Sequence, residues 1–170
     1  MFRLIFSLVT VLLIVLGCAP QDSKKKQNPL IGSWNVEEIY WKTPDTTYAI
    51  KNAQPGIFMV TETRYSMMWT PTQYSRIPFK KLAYPTDEEI LTGFRSIVFN
   101  SGTYTMTDSM FHIKATIAKV PGFEGGTQSF KYKLYGDGLE LNMIDETYPN
   151  GDKPDWYGHV ETTFKLSKID

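Results

Sequence analysis

The sequence has few of the side chains on which most metal sites and many enzyme sites are built. Its 170 residues include one cysteine, Cys18, and two histidines, His112 and His159. A zinc site needs three or four converging Cys, His or carboxylate ligands, so this composition argues against one. A single cysteine also excludes an intramolecular disulfide, and the folded domain must therefore be stabilised by packing.

An excess of charge of one sign is also missing. Lysine plus arginine number 18 and aspartate plus glutamate number 18, so the basic field that steers a protein to nucleic acid is absent, and we expect no nucleic-acid partner. Serine- and cysteine-nucleophile motifs are absent too. Gly122, Gly125 and Gly126 follow a predicted strand but open no helix, which excludes a phosphate-binding glycine loop. No cofactor is predicted.

Residues 1–17 are predicted to be a signal peptide. Arg3 precedes a nearly unbroken apolar run from Leu4 to Leu16, which is too short to cross a bilayer comfortably and is followed at once by polar sequence. The tetrapeptide Val15-Leu16-Gly17-Cys18 resembles a bacterial lipobox, although Leu16 is bulky for its position. The resemblance implies that cleavage leaves a lipidated Cys18 as the new first residue.

Residues 18–29 are predicted to be a lipid-anchored tether, because this segment, with three lysines at 24–26, has too few apolar residues to pack. Several acyl chains on one cysteine bind a membrane stably. The expected location is the bacterial cell envelope, with the chain anchored to a membrane, the outer membrane being favoured. The domain, residues 30–170, is expected outside the cytoplasm.

Aromatic residues are abundant, at 14% of the chain, and they favour the pleated surfaces of strands. From residue 31 onward, short runs alternate apolar and polar side chains and are separated by turns, which predicts an antiparallel sheet with one core face. Helices do not alternate with these strands. The sequence therefore predicts an all-β protein, a single antiparallel β-barrel of roughly eight to ten strands, with long loops at 43–55 and 70–85.

One helix is predicted between Thr86 and Val98. Thr86-Asp87-Glu88-Glu89 has the sequence of a capping box. Apolar residues then recur at helical spacing at Ile90, Leu91, Phe94, Ile97 and Val98. We expect this apolar stripe to close one mouth of the barrel or to lie on its wall.

Several short motifs occur in an order and spacing that resemble the bacterial lipocalin-like domain family, from about residue 31 to residue 144. They are Gly32-Ser33-Trp34, Thr86-Asp87-Glu88-Glu89-Ile90, Phe94-Arg95, Gly102-Thr103-Tyr104, Pro121-Gly122-Phe123-Glu124-Gly125 and Gly136-Asp137-Gly138-Leu139. The resemblance implies a calycin-type cup that binds small apolar molecules and whose closed end is plugged by Trp34.

The chain departs from the family pattern at two places. Many relatives have histidines where this sequence has Ile113-Lys114, which argues against histidine-based chemistry. The arginine that packs over the plug tryptophan in lipocalins has no counterpart, and the nearest cations in the last strand are Lys165 and Lys168. Lysine cannot stack as a planar guanidinium does.

The candidate ligand-binding residues are those predicted to face the barrel interior. If Trp34 points inward, a period of two carries Glu38 and Tyr40 inward as well, and a buried carboxylate needs a partner such as Arg64, Arg76 or Arg95. A strand bulge that turns Glu38 to water is the alternative. The full set of candidates is Glu38, Tyr40, Phe58, Tyr104, Phe111, Phe130, Tyr132 and Phe164.

No metal site is predicted. Asp145, Glu146, Asp152 and Asp155 could surround a calcium ion, but they lack the regular ligand spacing of a calcium-binding loop. His112 shares a predicted outer face with Lys114 and Thr116, so we interpret it as a surface residue.

The predicted function is that of a membrane-anchored envelope lipoprotein that binds a small, mainly apolar molecule in a β-barrel cup. One alternative is a lipocalin-fold enzyme, isomerase or hydratase-like, that uses Glu38 and tyrosines. Another is a protein or glycan interaction module with a filled barrel. An open apolar cavity would favour the binder, and a cavity with a carboxylate near two other polar groups would favour the enzyme.

Overall fold

The computed structural model describes residues 28–169. The predicted signal peptide, Cys18 and all but the last two residues of the predicted tether lie outside the described residues. The elements within 28–169 are β1 Gly32–Lys42, β2 Thr47–Ile50, β3 Ile57–Val60, β4 Arg64–Trp69, α1 Asp87–Arg95, β5 Val98–Met106, β6 Met110–Ala118, β7 Thr127–Tyr135, β8 Gly138–Thr147 and β9 Glu161–Lys168. Among these residues, no helix has the length and hydrophobicity needed to span a membrane.

The strands form a closed antiparallel barrel, as predicted. The sheet order is β2-β1-β3-β4-β5-β6-β7-β8-β9, and β9 also pairs with β1, which closes the ring of eight strands. The first half of β1 pairs with β3 and its second half with β2. The prediction of an irregular loop at 43–55 is therefore wrong for Thr47–Ile50, where the Tyr48 ring stacks on Trp41 with centroids 5.6 Å apart.

Helix α1 begins with the predicted capping box. Glu89 N donates to the Thr86 hydroxyl, and Thr86 N donates to the Glu89 carboxylate at 2.8 Å. However, no residue of α1 is buried, and Ile90 and Leu91 are half exposed. The expectation that the apolar stripe packs on the barrel is thus wrong. The segment is joined to the barrel through Lys119, whose ammonium donates to the carbonyls of Phe94 and Ile97.

The half of the barrel around Trp34 is filled by side chains. Trp34 is 2% exposed, and its indole N–H donates to the Leu30 carbonyl at 2.9 Å. Phe111 meets Phe58 edge-on at 5.6 Å and lies 4.8 Å from the Tyr104 ring. Offset and edge-on contacts of this kind add to the stability that burial provides. We refer to this region as the closed half.

Lys168 lies over the Trp34 ring, with its ammonium 5.6 Å from the ring centroid. In lipocalins an arginine packs over this tryptophan, and the present sequence has no such arginine. A cation over an indole face is attracted by the ring quadrupole. Lys168 therefore provides a weaker counterpart of the expected arginine contact.

Three β-bulges interrupt the barrel. The pairing register shifts at Glu37 in β1, at Thr116 in β6 and at Ile144 in β8, each of which is an extra residue relative to the partner strand. Because successive side chains point to opposite faces, one extra residue exchanges the inner and outer faces beyond it. These exchanges decide which side chains line the interior.

Gly102 lies opposite the β6 bulge, where the two strands approach closely. A Cβ atom added to Gly102 would lie 2.0 Å from the Lys114 carbonyl oxygen. Only glycine therefore fits this position without a backbone shift. The Gly102-Thr103-Tyr104 motif thus has a steric cause.

Candidate ligand-binding site

Glu38 and Tyr40 lie on the outside of the barrel, so the prediction that they face the interior is wrong. The bulge at Glu37 shifts the alternation of β1, and the fully buried Ile39 takes the inward position instead. The alternative, a bulge that turns Glu38 to water, is correct. Period-two counting from Trp34 fails here because one residue is inserted before Glu38.

Among the described residues, the Glu38 carboxylate has lysine partners and no arginine partner. The Tyr40 hydroxyl donates to it, and the Lys165 ammonium lies 3.2 Å from it. Lys51 in turn donates to the Tyr40 hydroxyl at 2.9 Å. The Tyr40 hydrogen bond and Lys165 hold the pKa of Glu38 below its usual value. An enzyme that uses Glu38 inside the barrel therefore loses its support.

The other predicted interior residues divide between the two ends of the barrel. Phe58 and Phe111 are buried in the closed half. Tyr104 and Tyr132 are half-buried there and line a groove of about 670 Å³ at its outer rim, together with residues of the β5–β6 turn. Phe130 and Phe164 line a different cavity, towards the opposite end. Ligand contact at all of these residues stays a prediction.

That second cavity, which we call the cup, has a volume of about 360 Å³ and is largely aromatic. The rings of Trp41 and Trp69 lie 6.0 Å apart, and Phe164 meets Trp69 edge-on at 5.0 Å. The cup lies within the barrel, whereas the larger groove lies on an outer rim and is lined by turn residues, so we take the cup as the candidate site. Its lining residues are Trp41, Met67, Trp69, Val98, Asn100, Gln128, Phe130, Met143, Glu146, Trp156, Val160, Thr162 and Phe164.

Three polar side chains form a hydrogen-bonded row in the cup wall, which we call the amide row. The Asn100 side-chain amide donates to Gln128 Oε1 at 3.2 Å, and the Gln128 amide donates to Glu146 Oε2. Asn100 is 7% exposed, and its Oδ1 atom is buried without a hydrogen-bond partner among the described residues. The row therefore has a carboxylate at one end and an unsatisfied acceptor at the other.

Different strands bring the members of the amide row together. Asn100 shares the inner face of β5 with Gly102, and Gln128 lies two residues before Phe130 on β7. Glu146 faces inward only because Ile144 is the extra residue of the β8 bulge. Without the bulge, the alternation of Leu139, Leu141 and Met143 would carry Glu146 to the outside.

Burial raises the pKa of the Glu146 carboxyl, and the nearby charge of Asp145 acts in the same direction. The hydrogen bond from Gln128 opposes this shift. On the outer side, Lys153 forms an ion pair with Asp145. The cup thus contains a carboxyl that binds its proton more tightly than usual.

The amide row also lines a second void, of about 350 Å³. This void is bounded by the loop Pro121–Phe123, Lys119 and Tyr148, and it shares Val98, Asn100, Gln128 and Glu146 with the cup. Burial lowers the pKa of Lys119 and raises that of Tyr148. The row therefore borders two cavities of similar size.

The calcium alternative finds no support in the geometry. Lys153 pairs with Asp145, and the Asn150 amide donates to Asp152. Within residues 28–169, no group of three or more His, Cys, Asp or Glu side chains is arranged to hold a metal ion. His112 is exposed, and its Nδ1 lies 2.9 Å from the Ser129 hydroxyl.

Sequence reasoning missed most of the cup. Gln128 could have been found, because it shares the alternation of Phe130 and Tyr132. Asn100 could have been found from its spacing to Tyr104, but its polarity argued for the surface. Trp156 lies outside the regular strands, between β8 and β9, where no period applies.

Comparison with known proteins places these features in a family. Residues 31–163 match the family model described as lipocalin-like domain. No curated protein matches the chain. Two solved structures are similar: an uncharacterized protein from Bacteroides eggerthii, with 12% identity, a TM-score of 0.43 and coverage of 82% of this chain and 99% of that one, and a lipocalin-like protein from Bacteroides uniformis, with 13% identity, a TM-score of 0.41 and coverage of 82% and 98%. Since the family match spans most of the barrel, the chain belongs to the lipocalin-like domain family.

Proposed function

We propose that the protein binds a small, mainly apolar molecule in the cup. The observation that carries this proposal is a cavity of about 360 Å³ inside the barrel, walled by three tryptophans and two phenylalanines. Ligand sites are typically concave and apolar with a few placed polar groups, and this volume is near the lower end of their usual range of about 300 to 1,000 Å³. The cavity also argues against a completely filled barrel.

The cup can be tested by filling it. Val160 lies at the cup and is half-buried, whereas the next residue, Glu161, is exposed. Val160→Phe should reduce the affinity for an apolar naphthalene probe at least tenfold, while Glu161→Phe should leave it unchanged. Native mass spectrometry of the parent should find a co-purified small molecule that Val160→Phe lacks. Equal probe affinity in both variants would contradict binding in the cup.

We further propose that the protein is a lipoprotein of the bacterial envelope, held to a membrane by Cys18. The lipobox-like sequence supports this, and the position of Asn28 suggests an orientation. Asn28 donates to the Tyr104 hydroxyl at 2.6 Å, so the chain enters the barrel at the closed half. An anchor on this side would leave the cup facing away from the membrane.

The anchor has a direct test. Cys18→Ser should abolish membrane association without unfolding the domain, because the attachment is covalent and the sequence of residues 18–27 has too few apolar residues to pack. Membrane pelleting at high salt is the measurement, with circular dichroism as the control for folding. Mutant protein that still pellets with membranes would contradict a lipid anchor.

One observation favours a second candidate, an enzyme of lipocalin-like fold. The cup holds a carboxyl of raised pKa in a row with two amides, and such a carboxyl could serve as a general acid or base. Incubating the protein with its co-purified molecule separates the two functions. Conversion by the parent but not by Glu146→Gln would support the enzyme, and recovery of the molecule unchanged would support the binder.

A further inference from the structure

The amide row has a direction that its charged end fixes. An ionised carboxylate can only accept hydrogen bonds. Glu146 therefore requires the nitrogen of Gln128, which leaves the oxygen of Gln128 facing Asn100. Asn100 must donate to that oxygen, and its own Oδ1 is left as the free end of the row.

That free end is a hydrogen-bond acceptor to which no donor among the described residues is paired. Within residues 28–169, Asn100 Oδ1 is buried without a partner, in a residue that lines both the cup and the second void. Buried polar atoms are nearly always paired, and each exception asks for an explanation. The Tyr65 hydroxyl also has no partner in the part of the chain that the structure describes, but it lines neither cavity. Because Oδ1 makes no hydrogen bond to any described residue, accepting one from a ligand in the cup would break no existing bond of this atom.

Building on the proposed function, we infer that the cup selects aromatic molecules that carry one hydrogen-bond donor, a hydroxyl or an N–H, which pairs with Asn100 Oδ1. The tryptophan and phenylalanine walls accept a flat ring system, and its donor lies at the amide row. A ligand with an acceptor at the same place would set two lone pairs against each other. A ligand with neither group would leave Oδ1 unpaired and would displace any water that could serve it.

Three probes of nearly equal size test this selection: 2-naphthol, which donates, 2-methoxynaphthalene, which only accepts, and 2-methylnaphthalene, which does neither. Affinities are measured by isothermal titration calorimetry with the full chain in detergent. Detergent takes up each probe to the same extent in every variant, so the ratios between variants are unaffected. The quantity compared is the affinity for 2-naphthol divided by the affinity for 2-methoxynaphthalene. We expect this ratio to be about five- to tenfold higher in the parent than in the Asn100 variant described next, because of the hydrogen bond.

The variant is Asn100→Leu, which keeps the approximate volume and removes Oδ1. The chain offers a matched control in Asn142, whose Oδ1 is also buried without a partner but which lies on the outer face of β8, opposite to Leu141 and Met143. Asn100→Leu should abolish the preference for 2-naphthol while retaining binding of 2-methylnaphthalene. Asn142→Leu should preserve the preference. Retained binding of 2-methylnaphthalene also shows that Asn100→Leu is folded.

The outcomes separate the inference from the function on which it rests. If all three probes bind and the 2-naphthol preference is the same in the parent and in Asn100→Leu, the cup binds ligands but the donor selection is overturned. If Asn142→Leu removes the preference as strongly as Asn100→Leu, the assignment to Asn100 is overturned. If no probe binds, both the binding function and the inference fail.

Discussion

The two halves of the barrel are built from similar side chains but differ in how completely those side chains fill the interior. The closed half is filled by Trp34, whose indole N–H donates to the Leu30 carbonyl, and by Phe58 and Phe111, which meet edge-on. The opposite half, which contains the cup, has a comparable aromatic wall but encloses a cavity and the amide row. Under the proposed function, this difference separates stability and recognition along the barrel axis. Substitutions at either end should therefore have different consequences.

The largest effect on stability is expected from Trp34→Ala. Removing a buried aromatic side chain costs about 3 to 5 kcal/mol, a large share of the roughly 5 to 15 that stabilise a domain. Affinity for a naphthalene probe should change little in the variant that remains folded. Thermal melting beside probe titration is the measurement. A variant that melts like the parent but loses the probe would place Trp34 in the binding site.

The next largest loss of stability is expected from Gly102→Ala, which tests the close approach of β5 and β6 at the β6 bulge. Its Cβ would overlap the Lys114 carbonyl, and forced overpacking typically costs about 1 to 3 kcal/mol. Chemical denaturation measures the loss. Gly136→Ala serves as a control for added volume, because no atom lies within 4 Å of its Cβ position, although its φ of 57° adds some strain.

Trp156→Ala removes a tryptophan at the opposite end of the barrel from Trp34. It should have a small effect on stability and a large effect on probe affinity. Trp156 is half-buried at the cup, so its loss should cost only about 1 kcal/mol of stability. The affinity of a naphthalene probe should fall by about tenfold, because aromatic residues dominate such contacts. A loss of stability equal to that of Trp34→Ala, with affinity unchanged, would contradict the division between the halves.

The smallest effect is a pH dependence from Glu146. Its folded pKa lies above the ordinary value of 4.5, so the folded state holds the proton more tightly than the unfolded chain. Stability should therefore fall as the pH rises from about 4.5 through the raised pKa, and Glu146→Gln should remove this slope. Denaturation across that pH range is the measurement, and an identical slope in both proteins would contradict it.

Protonation should also weaken the donor preference of the cup. A protonated Glu146 can donate to Gln128, which permits the amide row to reverse and to offer the nitrogen of Asn100 instead. Probe titrations at low pH should then show 2-naphthol losing its advantage, and Glu146→Gln should show the same loss at neutral pH. The groups near Glu146 that could titrate or shift this response are Asp145 on β8, Lys153 paired with it, and Lys119 and Tyr148 across the second void.

The fold could be predicted from sequence because most strands keep a strict period of two. In β9, for example, Thr162, Phe164 and Leu166 alternate with more exposed residues, and the capping box fixed the start of the helix. Closure into a barrel followed from the turns. These features depend on neighbours in sequence, which is the information a single chain supplies.

The candidate site could be predicted only in part, because the bulges depend on pairing between strands. Bulges moved Glu38 outward, left Ile117 56% exposed although a strict period of two would place it with Ala115 on the inner face, and moved Glu146 inward. Nothing local marks Glu37, Thr116 or Ile144 as an extra residue. The fully buried phenylalanines were identified, but their division between a packed core and a cavity depends on distances across the barrel.

The bulge in β8 has a consequence for how the strands of this barrel could change in length over evolutionary time. Because Met143 pairs with Phe130 and Asp145 with Ser129, deleting the single codon for Ile144 would restore regular pairing and would leave Asp145 outside and Glu146 at the cup. The bulge thus takes up one residue without changing which side chains line the cavity on either side of it. A lineage could therefore gain or lose a residue at this point of β8 while the chemistry of the cup stayed the same.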